Sequence, residues 1–261
     1  MIIQTEEDWK GLRAASHAVA ITLQEMKAIT KVGMTTKAID ECGGKILKKF
    51  GANSAPYKDY KFPGYACISL NQEACHGIPS DRIIKEGDLI NIDVSAELNG
   101  YYGDNGCSFV VGKDLQNVQN LVDASESILM EAISQIKTDV KINEIGGLIN
   151  KLAKSKGYNV IKNICGHGIG RKLHEEPTEI ACWKDRANRQ RFKKNSVIAV
   201  ETFISTGAKF VHEDDDGWTL KTDDGSFVAQ HEHTMVVTDD YPVILTWGNE
   251  IGKEELAKRK I

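Results

Sequence analysis

GDLINIDVSAELNGYYGDNGCSFVV, Gly87 to Val111, is the stretch from which the fold of this chain is read. It divides into two strands around Asn99-Gly100, because a type I′ turn needs positive φ at both central residues and Asn-Gly accepts that most readily. With those two at the tip, Leu98 falls opposite Tyr101 and Ser95 opposite Asp104. Side chains alternate along a strand, so Asp93 shares a face with Ser95 and becomes the diagonal neighbour of Asp104. The other face carries Ile90, Ile92 and Val94, which require a core. One face of this hairpin is therefore apolar and the other holds two carboxylates close together. Such charges repel unless a proton or a cation lies between them. A metal site is the first hypothesis; two solvated aspartates on an open strand face are the alternative.

The rest of the chain sets bounds on that hypothesis. At 261 residues it is long enough to bury a full core, and 41% hydrophobic with 27% charged residues is an ordinary globular composition. A net charge of −4 gives no reason to expect nucleic acid or an anionic membrane as partner. The start, MIIQTEEDWKGLR, lacks the basic and apolar runs of a secretory signal, and no apolar run reaches membrane-spanning length. Six cysteines (Cys42, Cys67, Cys75, Cys107, Cys165 and Cys182) form no C-x-x-C pair and read as the scattered thiols of a cytoplasmic protein.

Taken in order, the pattern predicts a helix over Asp8–Thr30 and a second one capped by Thr35 or Thr36 and stopped at Gly51. An irregular segment with Pro56 and Phe62-Pro63-Gly64 follows, then a strand over Ala66–Leu70 and a loop carrying Cys75-His76-Gly77. After the hairpin the order recurs. A helix is predicted over Leu121–Ile136, another capped by Asn143 and stopped at Gly157, a strand over Asn159–Ile164, and a glycine-rich loop, Gly166-His167-Gly168-Ile169-Gly170. A shift of 106 positions lays Leu23 on Leu129, Ile39 on Ile145, Ile46 on Leu152 and Gly51 on Gly157. These matches predict one domain over residues 1–261, an α+β fold whose two related halves, about 8–111 and 115–240, share a sheet with helices on one side. The charged tail, Lys253–Lys260, reads as a solvated helical end.

Two later strands break their own pattern. In Asn195–Ile204, Glu201 shares a face with Val197, Ala199 and Phe203. In Phe227–Thr238, Glu232 shares one with Val228, Gln230, Thr234 and Val236. A buried carboxylate needs a partner or costs several kcal/mol, and a lysine or arginine would serve either glutamate taken singly. Taken with Asp93, Asp104 and His167, they make a set of four carboxylates and one imidazole. That set suits Mn²⁺, Fe²⁺, Co²⁺ or Zn²⁺, and its charge exceeds the need of one ion, so two divalent ions are expected. Paired ions of this kind, known from aminopeptidases among others, draw a nucleophile from water at neutral pH. His76 and His174, in separate polar loops, are the free histidines best placed to handle protons and a developing oxyanion.

With these residues assembled, the chain resembles the bacterial type I methionine aminopeptidases. The matching stretches are CISLNQEACHGIPS, GDLINIDVS, GYYGDNG, CGHGIGRKLHEEP and QHEHTMVVTD, and the likeness runs over nearly the whole chain. It implies the pita-bread fold, two pseudo-symmetric halves around a central curved antiparallel sheet, and removal of the initiator methionine when the next residue is small. N-terminal Met peptides and nascent chains are the expected partners, with a transient ribosome contact; nothing suggests an obligate dimer, so a monomer is expected, and the chain is expected to begin directly with the catalytic unit, without a zinc-finger extension. Carried over residue by residue, the ligands fall on Asp93, Asp104, His167, Glu201 and Glu232, with Asp104 and Glu232 bridging and Glu201 also catalytic. His76 and His174 match the histidines that meet the scissile peptide. Phe203, Trp218 and Cys67 fall at the methionine pocket, with Phe62 and Pro56 as weaker candidates because their loop matches poorly. A thioether fills an aromatic-edged pocket well.

Three positions depart from the usual family pattern: Thr202 where proline is usual, Asn105 where Ser or Thr is usual, and His231 before Glu232. Only 34 positions separate His167 from Glu201, too few for the helical insertion of the type II enzymes. The proline-specific aminopeptidases and prolidases share the fold and ligand set, but usually carry an additional N-terminal domain. Pita-bread binding modules have lost ligands that this chain keeps.

Overall fold

Asn99 and Gly100 both adopt positive φ, 52° and 81°, and the strands they join pair in the expected register, with Leu98 opposite Tyr101 and Ser95 opposite Asp104. The computed structural model describes residues 1–254, and the expected helical tail beyond Glu254 lies outside them. In chain order the elements are α1 (Glu6–Ile29), α2 (Thr36–Lys49), β1 (Asn53–Ser54), β2 (Cys67–Leu70), β3 (Glu73–Cys75), β4 (Leu89–Leu98) and β5 (Tyr101–Val110). There follow α3 (Gln119–Gln135), α4 (Ile142–Ser155), β6 (Asn159–Val160), β7 (Cys165–Gly168), β8 (Glu175–Ala181) and β9 (Val197–Ser205). Last come β10 (His212–Glu213), β11 (Leu220–Lys221), β12 (Val228–Val236) and β13 (Val243–Ile244).

The large antiparallel sheet runs β1-β4-β5-β12-β9-β7-β8, with β2 added to β4, β6 to β9 and β13 to β12. Its apolar face, including Ile90, Ile92, Val94, Ile198, Val200 and Ile204, is fully buried in one continuous core with the helices. The helices start where their caps dictate. Thr5 accepts the amide of Asp8 while the Asp8 carboxylate accepts the amide of Thr5, a reciprocal capping box, and Thr35 accepts the amide of Ala38.

The 106-residue offset recurs in the backbone for the first member of each bridging pair, and the second members are offset by two residues more. Thr35 bridges Ile83 and Lys141 bridges Arg191. Asn53 pairs with Glu97 on β4, and Asn159 pairs with Ser205 on β9. Gly51 and Gly157 both turn the chain in the left-handed region after their helices. The two sets of strands meet at β5 and β12, where His231 opposite Cys107 is the one register pair and side chains make much of the join.

Two local expectations are corrected. Asn143 does not cap α4; Lys141 occupies that position, and the Asn143 amide instead donates to the carbonyls of Asp185 and Asn188. The segment around His167 is a strand, not a loop. Its glycines permit this, because a Cβ on Gly166 would stand 2.5 Å from the Ala199 carbonyl oxygen and one on Gly168 2.2 Å from that of Glu176. The strand expected over Asn159–Ile164 stops at Val160. All six cysteines are free.

Candidate metal centre and active-site cleft

On the polar face of the sheet, six strands each contribute one functional side chain. Cys67 on β2 lies opposite Asp93 on β4; Asp104 is on β5; Glu232 on β12 lies opposite Glu201 on β9; His167 on β7 pairs with Ala199, two residues from Glu201. Three strand spacings separate β5 from β7, roughly 14 Å in a flat sheet. Yet His167 Nε2 lies 3.7 Å from Asp104 Oδ2, so the sheet is deeply concave and its side chains converge. Ligand atoms of Asp104, His167 and Glu232 all fall within 4.8 Å of one another.

Burial makes this concentration of charge costly. Asp104, Glu201, Glu232 and His167 are all buried, and Asp93 is half-buried. Desolvation, reinforced by the neighbouring acids, holds Asp104, Glu201 and Glu232 well above the usual carboxylate range. Desolvation also raises Asp93 to about 6, opposed by its hydrogen bond with Asp104. His167 is pushed down to about 4, chiefly by burial and then by His174. Among the described residues no lysine or arginine pairs with any of these four acids. Asp104 Oδ1 is buried without a hydrogen-bond partner. Three buried acids, a half-buried fourth, one neutral imidazole and an orphaned oxygen fit divalent cations, and among the described residues no side-chain cation competes for them.

Neighbouring groups hold the acids in place. The Gln230 amide donates to Glu201 Oε2 and to Glu232 Oε2, each at 3.1 Å, and its own oxygen accepts from Asn91 at 2.8 Å. The Thr234 hydroxyl accepts the Asp104 amide at 3.0 Å and donates to the Asp104 carbonyl at 2.7 Å, pinning that residue across the join. Alternation had placed Gln230 and Thr234 on the inward face without giving either a role.

These acids form the floor of a cleft of about 450 Å³. Its walls include His76, His174, Cys67, Phe62, Phe203, Trp218 and Pro56, so every residue expected to bind metal or substrate borders it. Phe62 and Trp218 meet edge to face at 5.3 Å, forming an apolar, aromatic corner. His76 adopts φ 56°, in the left-handed region. Both His76 and His174 open onto the cleft, and desolvation by its walls lowers their pKa values and favours neutral rings. The cleft also contains residues that the sequence did not single out, notably Tyr60, Cys75, Cys165 and Leu220. Tyr60 lies in a segment with no helical or strand period, so no pattern could have marked it. The three unusual residues face away from the cleft. Thr202 bonds Ser125, Asn105 bonds the Val94 carbonyl and Asn249, and His231 is buried 4.0 Å from Glu126.

Residues 10–239 match the model of metallopeptidase family M24. The chain belongs to that family. Within it, this M24 peptidase is 46% identical to methionine aminopeptidase 2 of Bacillus subtilis (strain 168) over 94% of the chain and 99% of that protein. It is 36% identical to the methionine aminopeptidase of Escherichia coli (strain K12), over 94% of the chain and 93% of the relative. The crystal structure of methionine aminopeptidase from Thermotoga maritima superposes with a TM-score of 0.88 at 34% identity, covering 94% and 99% of the two chains. The prolidase of Pyrococcus furiosus shares the fold at 21% identity and a TM-score of 0.75, and the chain covers 65% of it. This M24 peptidase is thus a pita-bread metallo-aminopeptidase by family. Among the described residues no helix is long and apolar enough to cross a membrane.

Proposed function

We propose that this chain removes the N-terminal methionine from nascent proteins and peptides whose second residue is small. The observation that carries this reading is the joining, in one cleft, of an acid-rich floor to an aromatic corner of the size and polarity a thioether favours. Asp93, Asp104, His167, Glu201 and Glu232 would hold two divalent cations, Co²⁺, Mn²⁺, Fe²⁺ or Zn²⁺. Bound there, the ions would supply Lewis acidity and a nucleophile drawn from water at neutral pH.

The chain's own groups do the rest. Phe62, Phe203, Trp218 and Cys67 receive the methionine side chain. His76 and His174, as neutral rings, donate hydrogen bonds to the scissile carbonyl as negative charge develops on its oxygen. Glu201 accepts a proton from the attacking water and delivers it toward the departing amine. Residues 1–261 act as one catalytic domain with halves 8–111 and 115–240, in the cytoplasm, as a monomer that meets the ribosome only in passing.

The test is release of free methionine from Met-Ala-Ser by protein loaded separately with each of the four ions, beside matched Xaa-Pro peptides. Cleavage of Met-Ala-Ser is expected; cleavage of the Xaa-Pro peptides alone would overturn the reading in favour of a proline-specific peptidase. Metal content measured alongside activity tests for two ions per chain.

A further inference from the structure

Tyr60 ends a short π-helical turn, Pro56–Tyr60, on the rim of the cleft. Its hydroxyl lies 2.7 Å from His174 Nδ1, with the two rings edge to face at 5.7 Å. Both partners are presented by pinned segments. Two residues beyond Tyr60, Phe62 is fully buried against Trp218, and its amide donates to the Pro56 carbonyl at 3.1 Å. On the other side, Glu175 accepts the amides of Arg171 and Lys172 at 2.6 and 2.8 Å, which fixes the turn that delivers His174. Among the described residues, Tyr60 is the one hydrogen-bond partner of the His174 ring. Among the described residues the Nε2 edge has no hydrogen-bond partner, and His174 borders the cleft, its ring 4.3 Å from that of His167.

We propose that Tyr60 is a positioning residue: its hydroxyl donates to His174 Nδ1, which places the ring proton on Nε2 and keeps the ring oriented toward the substrate. Between a neutral phenol and a neutral imidazole, the O–H is the stronger acid and the ring nitrogen the stronger base, so the bond runs from Tyr60 to His174. The other nitrogen must then carry the proton, because a neutral imidazole has one N–H. An N–H is what a carbonyl oxygen gaining charge requires, whereas the opposite tautomer would present a lone pair to it. The role rests on the peptidase reading above; the tautomer itself does not.

The test uses the Zn²⁺-loaded full chain labelled with ¹⁵N-histidine, the His174 signals being identified by their loss in His174→Gln. Wild type is expected to show a protonated Nε2 and a hydrogen-bonded, unprotonated Nδ1. In Tyr60→Phe, which keeps the ring and removes only the hydroxyl, the Nδ1 signal should move to the position of a free acceptor. With Met-Ala-Ser and the same preparation, kcat should fall about three- to tenfold, the loss of one ordinary hydrogen bond, with KM held within about twofold. A proton on Nδ1 in wild type, or His174 signals and kcat unchanged in Tyr60→Phe, would overturn the assignment. Wild-type protein that shows the expected spectrum but cleaves no Met-Ala-Ser would instead defeat the peptidase reading and leave the tautomer established.

Discussion

The two halves place their carboxylates differently on similar frames. On the β4–β5 hairpin the acids are diagonal: Asp93 faces Gly106 and Asp104 faces Ser95. On β9 and β12, Glu201 and Glu232 stand directly opposite each other. Short side chains on the diagonal lie close enough for Asp93 and Asp104 to hydrogen-bond directly. Longer ones placed face to face repel, and here the Gln230 amide reaches both. The outer strands differ too. Where β7 pairs His167 with Ala199, β2 pairs Ser69 with Asn91, and the Ser69 hydroxyl accepts the Gly77 amide next to His76. One half thus supplies an imidazole to the acid cluster, and the other uses the equivalent place to brace a loop. A duplicated frame need not duplicate chemistry.

The largest effects should come from removing charge at the two positions expected to be shared between ions. Asp104→Asn and Glu232→Gln should each lower Met-Ala-Ser turnover beyond the about 10–100-fold typical of losing an outer partner of a ligand. A milder effect in one variant, with two ions still bound, would break the equivalence between the halves. His174→Ala should lower kcat by about 10²-fold, the scale of one oxyanion donor, with metal content nearly unchanged. Equal metal loss would show that His174 is a ligand.

Gln230→Ala sharpens the contrast, because its side-chain NH₂ donates to both glutamates of the second half. It should weaken metal affinity by about 10–100-fold, read by titration calorimetry, whereas Ser69→Ala should leave affinity near wild type and act on kcat. The pH dependence of the metal-free protein follows from the raised acids. Their folded pKa values lie above the unfolded ones, so the stability they contribute is complete below about pH 4 and declines as pH rises through the raised values, about 6 at Asp93. The melting temperature of metal-free wild type, measured relative to Asp104→Asn, should therefore fall between pH 4 and pH 8, and metal should flatten the curve. The smallest effect expected is Phe62→Ala, which should raise KM about three- to tenfold through loss of one aromatic contact.

Local rules made much of this legible. The Asn99-Gly100 turn fixed a register, and the register fixed which acids were neighbours. Alternation placed Glu201 and Glu232 inward because each interrupted an apolar strand. What no local rule carried was curvature: the approach of His167 to Asp104 depends on three successive strand pairings. Tyr60 escaped for a related reason. Its segment has no period and is held from outside, in part by Asp40, 25 positions away from Tyr65, whose carboxylate accepts the Tyr65 and Ala66 amides at 2.8 Å each. Asn143 misled because its partners, Asp185 and Asn188, are equally remote in sequence.

The small sheet β10-β11-β3 ties these regions together. Leu220 pairs with Cys75, so the ribbon that begins two residues after Trp218 is laced to the strand that ends one residue before His76. The wall that carries the indole and the loop that carries the imidazole are therefore fixed to each other through main-chain pairing and not through side-chain contact alone.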